Sequence, residues 1–90
     1  MLERRLKIVN PLGLHARAAA QLVRLAGSFQ SRIILKRTDS AMTADAKSIL
    51  NVLTLAASKG VELDVEVEGP DEAAAMQAVE DIFARGFGEI

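Results

Sequence analysis

The chain contains no cysteine, tryptophan or tyrosine, a single histidine, and only three phenylalanines and two prolines in 90 residues. Without cysteine there is neither a disulfide framework nor thiolate chemistry, which agrees with a reducing compartment such as the cytoplasm. Three aromatic rings are too few to stack bases, and a formal net charge of −1 gives no electrostatic reason to hold nucleic acid. No window is apolar for long enough to insert into a membrane. The opening residues MLERRLKIVN alternate charged and apolar side chains, where a signal peptide needs a continuous apolar stretch. One histidine among scattered carboxylates supplies no ligand cluster, so neither a metal nor another cofactor is expected. No serine stands in the G-x-S-x-G setting of a nucleophile elbow.

What is present is a chain that is 50% hydrophobic, sufficient for one domain over residues 1–90. A domain of this size buries roughly 60 to 65% of its unfolded surface. Leu2, Leu6 and Ile8 alternate with Glu3, Arg5 and Lys7, the period of a half-buried strand. From Ala16 to Ala26 the period becomes helical, with Ala19, Leu22, Val23 and Ala26 on one stripe and Gly27 as a stop. Ser31–Arg37, the turn residues Thr38-Asp39-Ser40 and a return over Ala41–Ala46 read as a hairpin. Lys47–Ser58 is helical and closes at Lys59-Gly60. Val61, Leu63, Val65 and Val67 alternate with Glu62, Asp64, Glu66 and Glu68, a strand with one apolar and one acidic face open to water. Pro70 in the first turn opens a last helix, with Ala75, Met76, Val79, Ile82 and Phe83 as its buried stripe and Gly86 as its cap. The order βαββαβα predicts an α+β, open-faced two-layer sandwich: a four-stranded, mainly antiparallel sheet with three helices on one face.

The histidine lies in NPLGLHARA, directly before the first helix. A helix starting near Ala16 leaves the backbone N–H groups of Ala16, Arg17 and Ala18 without internal partners, and the helix dipole adds positive potential, so the position suits a phosphate. Arg17 contributes a guanidinium fork of matching geometry. The same potential disfavours a second positive charge on the His15 ring, which leaves a nitrogen lone pair for nucleophilic work. Gly13 lets the approach loop turn and keeps bulk away from the ring, while Leu12 and Leu14 are apolar loop residues available to a partner. A solvated capping histidine without chemistry satisfies the same spacing.

The second helix, SILNVLTLAAS, is apolar around more than half its circumference. Ile49, Val52, Leu55 and Ala56 form a stripe for the sheet, which leaves Leu50, Leu53 and Ala57 as a second apolar face. Either something docks on that face, or the helix is deeply buried. Ser48 reads as the N-cap, a position that also tolerates a phosphate.

GLHARAAAQLV, then AKSILNVLTLAASKG, then VELDVEVEGPDEAAA together resemble HPr, the histidine-containing phosphocarrier family of the bacterial phosphotransferase system. The resemblance spans nearly the whole chain and implies the same open-faced sandwich. It also implies a relay: enzyme I, charged by phosphoenolpyruvate, phosphorylates Nδ1 of His15, and the carrier passes the group to an enzyme IIA domain. By the same resemblance Arg17 stabilises the transferring phosphoryl group, and Leu14, Ile49, Leu50 and Leu53 form the docking surface. Ser48 matches the serine that HPr kinase phosphorylates in some branches. The family role is that of a carrier rather than an enzyme, and a carrier that meets two partners through one small surface is best served as a monomer. The GF-containing tail is more similar to NPr, the paralogue of the nitrogen-related branch. The family usually has proline where this chain has Ala18; alanine keeps the helix start and adds an N–H near the phosphate. A regulatory protein of the same fold, acting through Ser48, Leu50 and Leu53 on a kinase, sensor or transcription factor, is the alternative.

Overall fold

The computed structural model of the chain describes residues 1–89. Seven principal elements follow the expected order: β1 (Leu2–Lys7), α1 (Ala16–Gly27), β2 (Arg32–Arg37), β3 (Thr43–Asp45), α2 (Ile49–Thr54), β4 (Glu62–Glu68) and α3 (Glu72–Ala84), with a short 3₁₀ turn over Gly86–Gly88. The sheet order is β1-β4-β2-β3, and every pairing is antiparallel. The strand with the cleanest alternation is thus central. Leu63, Val65 and Val67 are fully buried, and β1 and β2 flank them in a register that sets Leu6 opposite Leu63 and Leu35 opposite Val65. On the covered face the three helices complete one core with Ile8, Leu22, Ile33, Leu35, Val52 and Val79.

The outer face is less acidic than the β4 sequence suggests, because the flanking strands bring cations to it. Arg5 stands opposite Asp64 and grips it through both oxygens, Nε to Oδ1 at 2.8 Å and Nη2 to Oδ2 at 3.2 Å. Lys36 Nζ donates to Glu66 Oε2 at 2.7 Å. These cation contacts hold the Asp64 and Glu66 carboxyls below the usual carboxylate range. Glu3 lies directly opposite Glu66, and its carboxyl is pushed up, first by a hydrogen bond to Glu66.

Three elements differ from the sequence reading, of which β3 is the simplest, confined to Thr43–Asp45 within the expected Ala41–Ala46. Helix α2 has six residues and ends at Thr54, not at Ser58. Its exit carbonyls are taken from outside the helix: Arg37 Nη1 donates to Leu55 O at 2.7 Å, and the Leu14 amide donates to Ala57 O at 2.9 Å. Ala56 turns into the left-handed region, φ 50°, which exposes it and buries Ala57, the reverse of the predicted assignment. In α3 the N-cap is Asp71, so Pro70 precedes the helix instead of occupying its first turn. The Asp71 carboxylate does not cap its own helix. It accepts from the Gln30 and Ser31 amides, each at 2.9 Å, and from Ser31 Oγ, which tie the segment leading into β2 to the start of α3.

The buried stripe of α3 is the predicted one, and Gly86 (φ 57°) follows its C-cap. Phe87 folds back on Phe83, ring centroids 5.2 Å apart. Ile90 lies outside the described residues.

Candidate functional site

The approach to His15 is built as a turn and a clamp. Asn10 O accepts from the Gly13 amide at 3.2 Å across a turn with Pro11 second, where its fixed φ fits. Asn10 is completely buried, and its Nδ2 donates back to Gly13 O at 2.8 Å. Gly13 has φ +63°, and a Cβ there would lie 2.5 Å from Ala57 O and 2.7 Å from Ser58 Cα. The room that this glycine saves is therefore against the exit of α2, rather than beside the ring. The Leu14 amide bond to Ala57 O then locks loop to helix exit.

Leu14 itself is only 4% exposed. It belongs to the core, which corrects its expected place on a docking surface: the clamp turns its side chain inward. Leu12, at 65%, is the loop's exposed apolar residue.

His15 is the N-cap of α1, with φ −70° and ψ 178°, and its carbonyl accepts from the Ala19 amide at 2.8 Å. The usual N-cap residues fill the helix start with a side-chain oxygen. The His15 ring makes no such capping bond and leaves that end of the helix to an incoming anion. Of the three predicted amide-bearing residues, Ala16 and Arg17 are exposed and Ala18 is fully buried. The Ala18 methyl thus serves the core. The His15 side chain is 24% exposed.

Two residues at this site have no counterpart in the sequence reading. Glu89 Oε2 meets His15 Nε2, and Glu89 Oε1 accepts from Asn10 Nδ2 at 3.2 Å. The hydrogen bond with His15 is the main reason the Glu89 carboxyl sits below the usual carboxylate range; Asn10 and the charge of Arg17 act in the same direction. Among the described residues, no three His, Asp or Glu side chains converge as metal ligands. Among the same described residues, no helix is long and apolar enough to cross a membrane.

Helix α2 presents Ile49, Leu50 and Leu53 at 37, 73 and 37% exposure, while Val52 and Leu55 face inward. Ile49, which the helical period assigns to the sheet and the resemblance to the outer surface, is on the outer side. Ser48 caps the helix, its oxygen accepting from the Asn51 amide at 3.4 Å.

Fold and site together define an open-faced α+β sandwich that presents one imidazole at a helix N-terminus beside an apolar helix face, the form of a protein that carries a group on its surface. Residues 2–85 match the family model described as the PTS HPr component phosphorylation site. The chain is 47% identical over 89 residues to phosphocarrier protein HPr of Cupriavidus necator, covering 99% of this chain and 98% of that one. It is 40% identical over 83 residues to phosphocarrier protein NPr of Escherichia coli K12, covering 92% and 91%. The crystal structure of HPr-C-His from Thermoanaerobacter tengcongensis superimposes with a TM-score of 0.92 at 37% identity, covering 100% of this chain and 99% of that one. The chain belongs to the HPr family, the phosphocarriers of the phosphotransferase system.

Proposed function

We propose that His15 Nδ1 accepts a phosphoryl group from phosphoenolpyruvate-charged enzyme I and hands it to an enzyme IIA protein, the chain acting as a monomer. The observation that carries this reading is the state of the ring. It heads a helix whose N-terminal amides it does not fill, it reaches solvent, and its Nε2 faces Glu89, which leaves Nδ1 clear of that contact. The amides at the start of α1 and the Arg17 guanidinium supply fixed positive charge where the phosphoryl oxygens gather, the arrangement that favours phosphoryl transfer. Ile49, Leu50 and Leu53 form the face on which both partners dock in turn. Ser48 is the position at which a kinase would act, with its charge entering beside that face.

The test is transfer from phosphoenolpyruvate and enzyme I of the same genome to the chain and to a His15→Ala variant, followed by ³¹P and ¹H–¹⁵N spectra. An acid-labile phosphorus signal on Nδ1, absent from the variant, is the expected result. No transfer to the folded wild-type chain by a self-phosphorylating enzyme I overturns the relay and leaves the regulatory alternative. Offering the phosphorylated chain to sugar-branch and nitrogen-branch IIA proteins in parallel then assigns the branch.

A further inference from the structure

We propose that Arg37 is a positioning residue for phosphoryl transfer: by capping the exit of α2 it fixes where that helix stops, and so where the His15 loop sits relative to the apolar face of α2. This inference rests on the relay reading above and adds to it a residue outside both the helix start and the docking face.

Nothing within α2 ends it. After Thr54 the chain runs Leu55-Ala56-Ala57-Ser58, mostly good helix formers, and neither a cation nor a glycine stands before Lys59-Gly60. The stop comes from β2. Arg37 closes that strand, its amide donating to Met42 O at 3.0 Å and its Cα lying opposite Leu63 of β4. The two oxygens of Asp39 grip its Nε and Nη2, at 2.8 and 2.9 Å. That leaves Nη1, which donates to Leu55 O at 2.7 Å and makes a longer contact with Ala56 O at 3.4 Å. A guanidinium suits this task, because its donors form a rigid fork and its charge meets the orphan carbonyls of a helix end. The next carbonyl, Ala57 O, is the one that receives the Leu14 amide at 2.9 Å. Consecutive carbonyls are thus committed first to Arg37 and then to the residue directly before His15.

The backbone of the exit explains why a cap is needed. Ala56 is held at φ 50°, where alanine is disfavoured and glycine is not. Without the guanidinium, Ala56 relaxes to helical values and α2 runs on toward Ser58, the extent its sequence favours. Helical carbonyls point along the axis, so Ala57 O then turns away from the Leu14 amide and the clamp on the His15 loop opens. Ile49, Leu50 and Leu53 precede the exit and keep their places. The Arg37 side chain is only 17% exposed, so it acts through the fold and not by touching a partner. The consequence is a partner that docks as before against a ring no longer set for attack.

Arg37→Met keeps the aliphatic stem and removes every donor. The first readout needs no partner: the ¹³C shifts of residues 55–58 should move to helical values, and the Leu14 amide should exchange about tenfold faster. The second is transfer from phosphoenolpyruvate through enzyme I with the chain as substrate. There kcat should fall about tenfold while KM stays within about twofold, the mark of a misplaced acceptor with its docking contacts intact. Either readout unchanged in Arg37→Met overturns the proposal. The rescue is Arg37→Met combined with Ala56→Gly, since glycine restores the left-handed stop without a cation. The double variant should regain Leu14 protection and kcat; a kcat that stays low overturns the positioning role. Should Arg37→Met not fold, Asp39→Ala, at a residue 57% exposed, loosens the same guanidinium. It should shift Leu14 exchange and kcat in the same directions, and wild-type values of either overturn the proposal. Failure of the wild-type chain to accept any phosphoryl group refutes the relay instead, and is read separately from the shifts and exchange at the α2 exit.

Discussion

Replacing Gly13 by alanine tests whether the His15 loop is clamped as described. The new Cβ would stand 2.5 Å from Ala57 O and 2.7 Å from Ser58 Cα, both backbone atoms that cannot swing aside as a side-chain tip can. The backbone at φ +63° adds the left-handed penalty of about 1–2 kcal/mol for a residue with a Cβ. Forcing the loop and the α2 exit apart adds about 1–3 kcal/mol, the usual scale of overpacking. The sum, about 2–5 kcal/mol, is a large share of the roughly 5–13 kcal/mol available to a chain of this length. The companion is Gly27→Ala at the end of α1, where the new Cβ meets nothing within 4 Å. That change should stabilise by about 0.4–1 kcal/mol through the unfolded chain alone. Thermal and urea denaturation of both proteins give the comparison: Gly13→Ala should melt more than about 10 °C below wild type, and Gly27→Ala slightly above it. A Gly13→Ala protein that melts with wild type refutes the clamp.

Further outcomes follow from other residues. Leu14→Ala, at a buried position, should cost about 2–5 kcal/mol in urea unfolding; Leu50→Ser, at an exposed one, should stay within about 0.5 kcal/mol yet raise the KM for transfer from enzyme I. Ala56→Gly, at φ 50°, should raise stability by up to about 1 kcal/mol, since the left-handed penalty it removes outweighs the added chain entropy. The Asp71 carboxyl is held below its usual range, first by the Ser31 hydroxyl and then by the Gln30 amide. Its contribution to stability is therefore complete above the ordinary carboxylate range and is lost as pH falls through the lowered value. Asp71→Asn should accordingly flatten the acid limb of stability measured between about pH 5 and pH 2.

The strands and outer helices were legible because their side-chain periods have no competing solution. In β4 the alternation of Leu63, Val65 and Val67 with acidic residues admits one orientation, and in α3 five apolar positions specify one stripe. Helix α2 was not legible in its length or its inner face. Its sequence carries no stop signal before Gly60, and the early end is imposed by Arg37 from β2 and Leu14 from the loop, donors that only the tertiary fold brings near. The same donors decide that Ala57 is buried in place of Ala56. Leu14 was misjudged because an apolar residue in a loop looks available until the amide beside it is seen bonded inward. At the site, His15, Arg17 and the helix start follow from local sequence, whereas Glu89 is 74 positions away from the histidine it touches. The tail offered one clue: Gly86 and Gly88 bracketing Phe87 mark a tight return.

The brevity of α2 has a bearing on traffic. Three partly exposed aliphatic side chains on a six-residue helix make a small patch, and a patch beside a single acceptor ring can serve only one client at a time. On the proposed relay, with this patch as the docking face, donor and receiver must take turns, and throughput is set by how fast each one leaves. A contact of this size favours short residence over tight association, the regime of transient encounters, and differences among partners reside mainly in their dissociation rates. Enlarging the patch with further apolar residues would strengthen each complex and slow the chain of transfers.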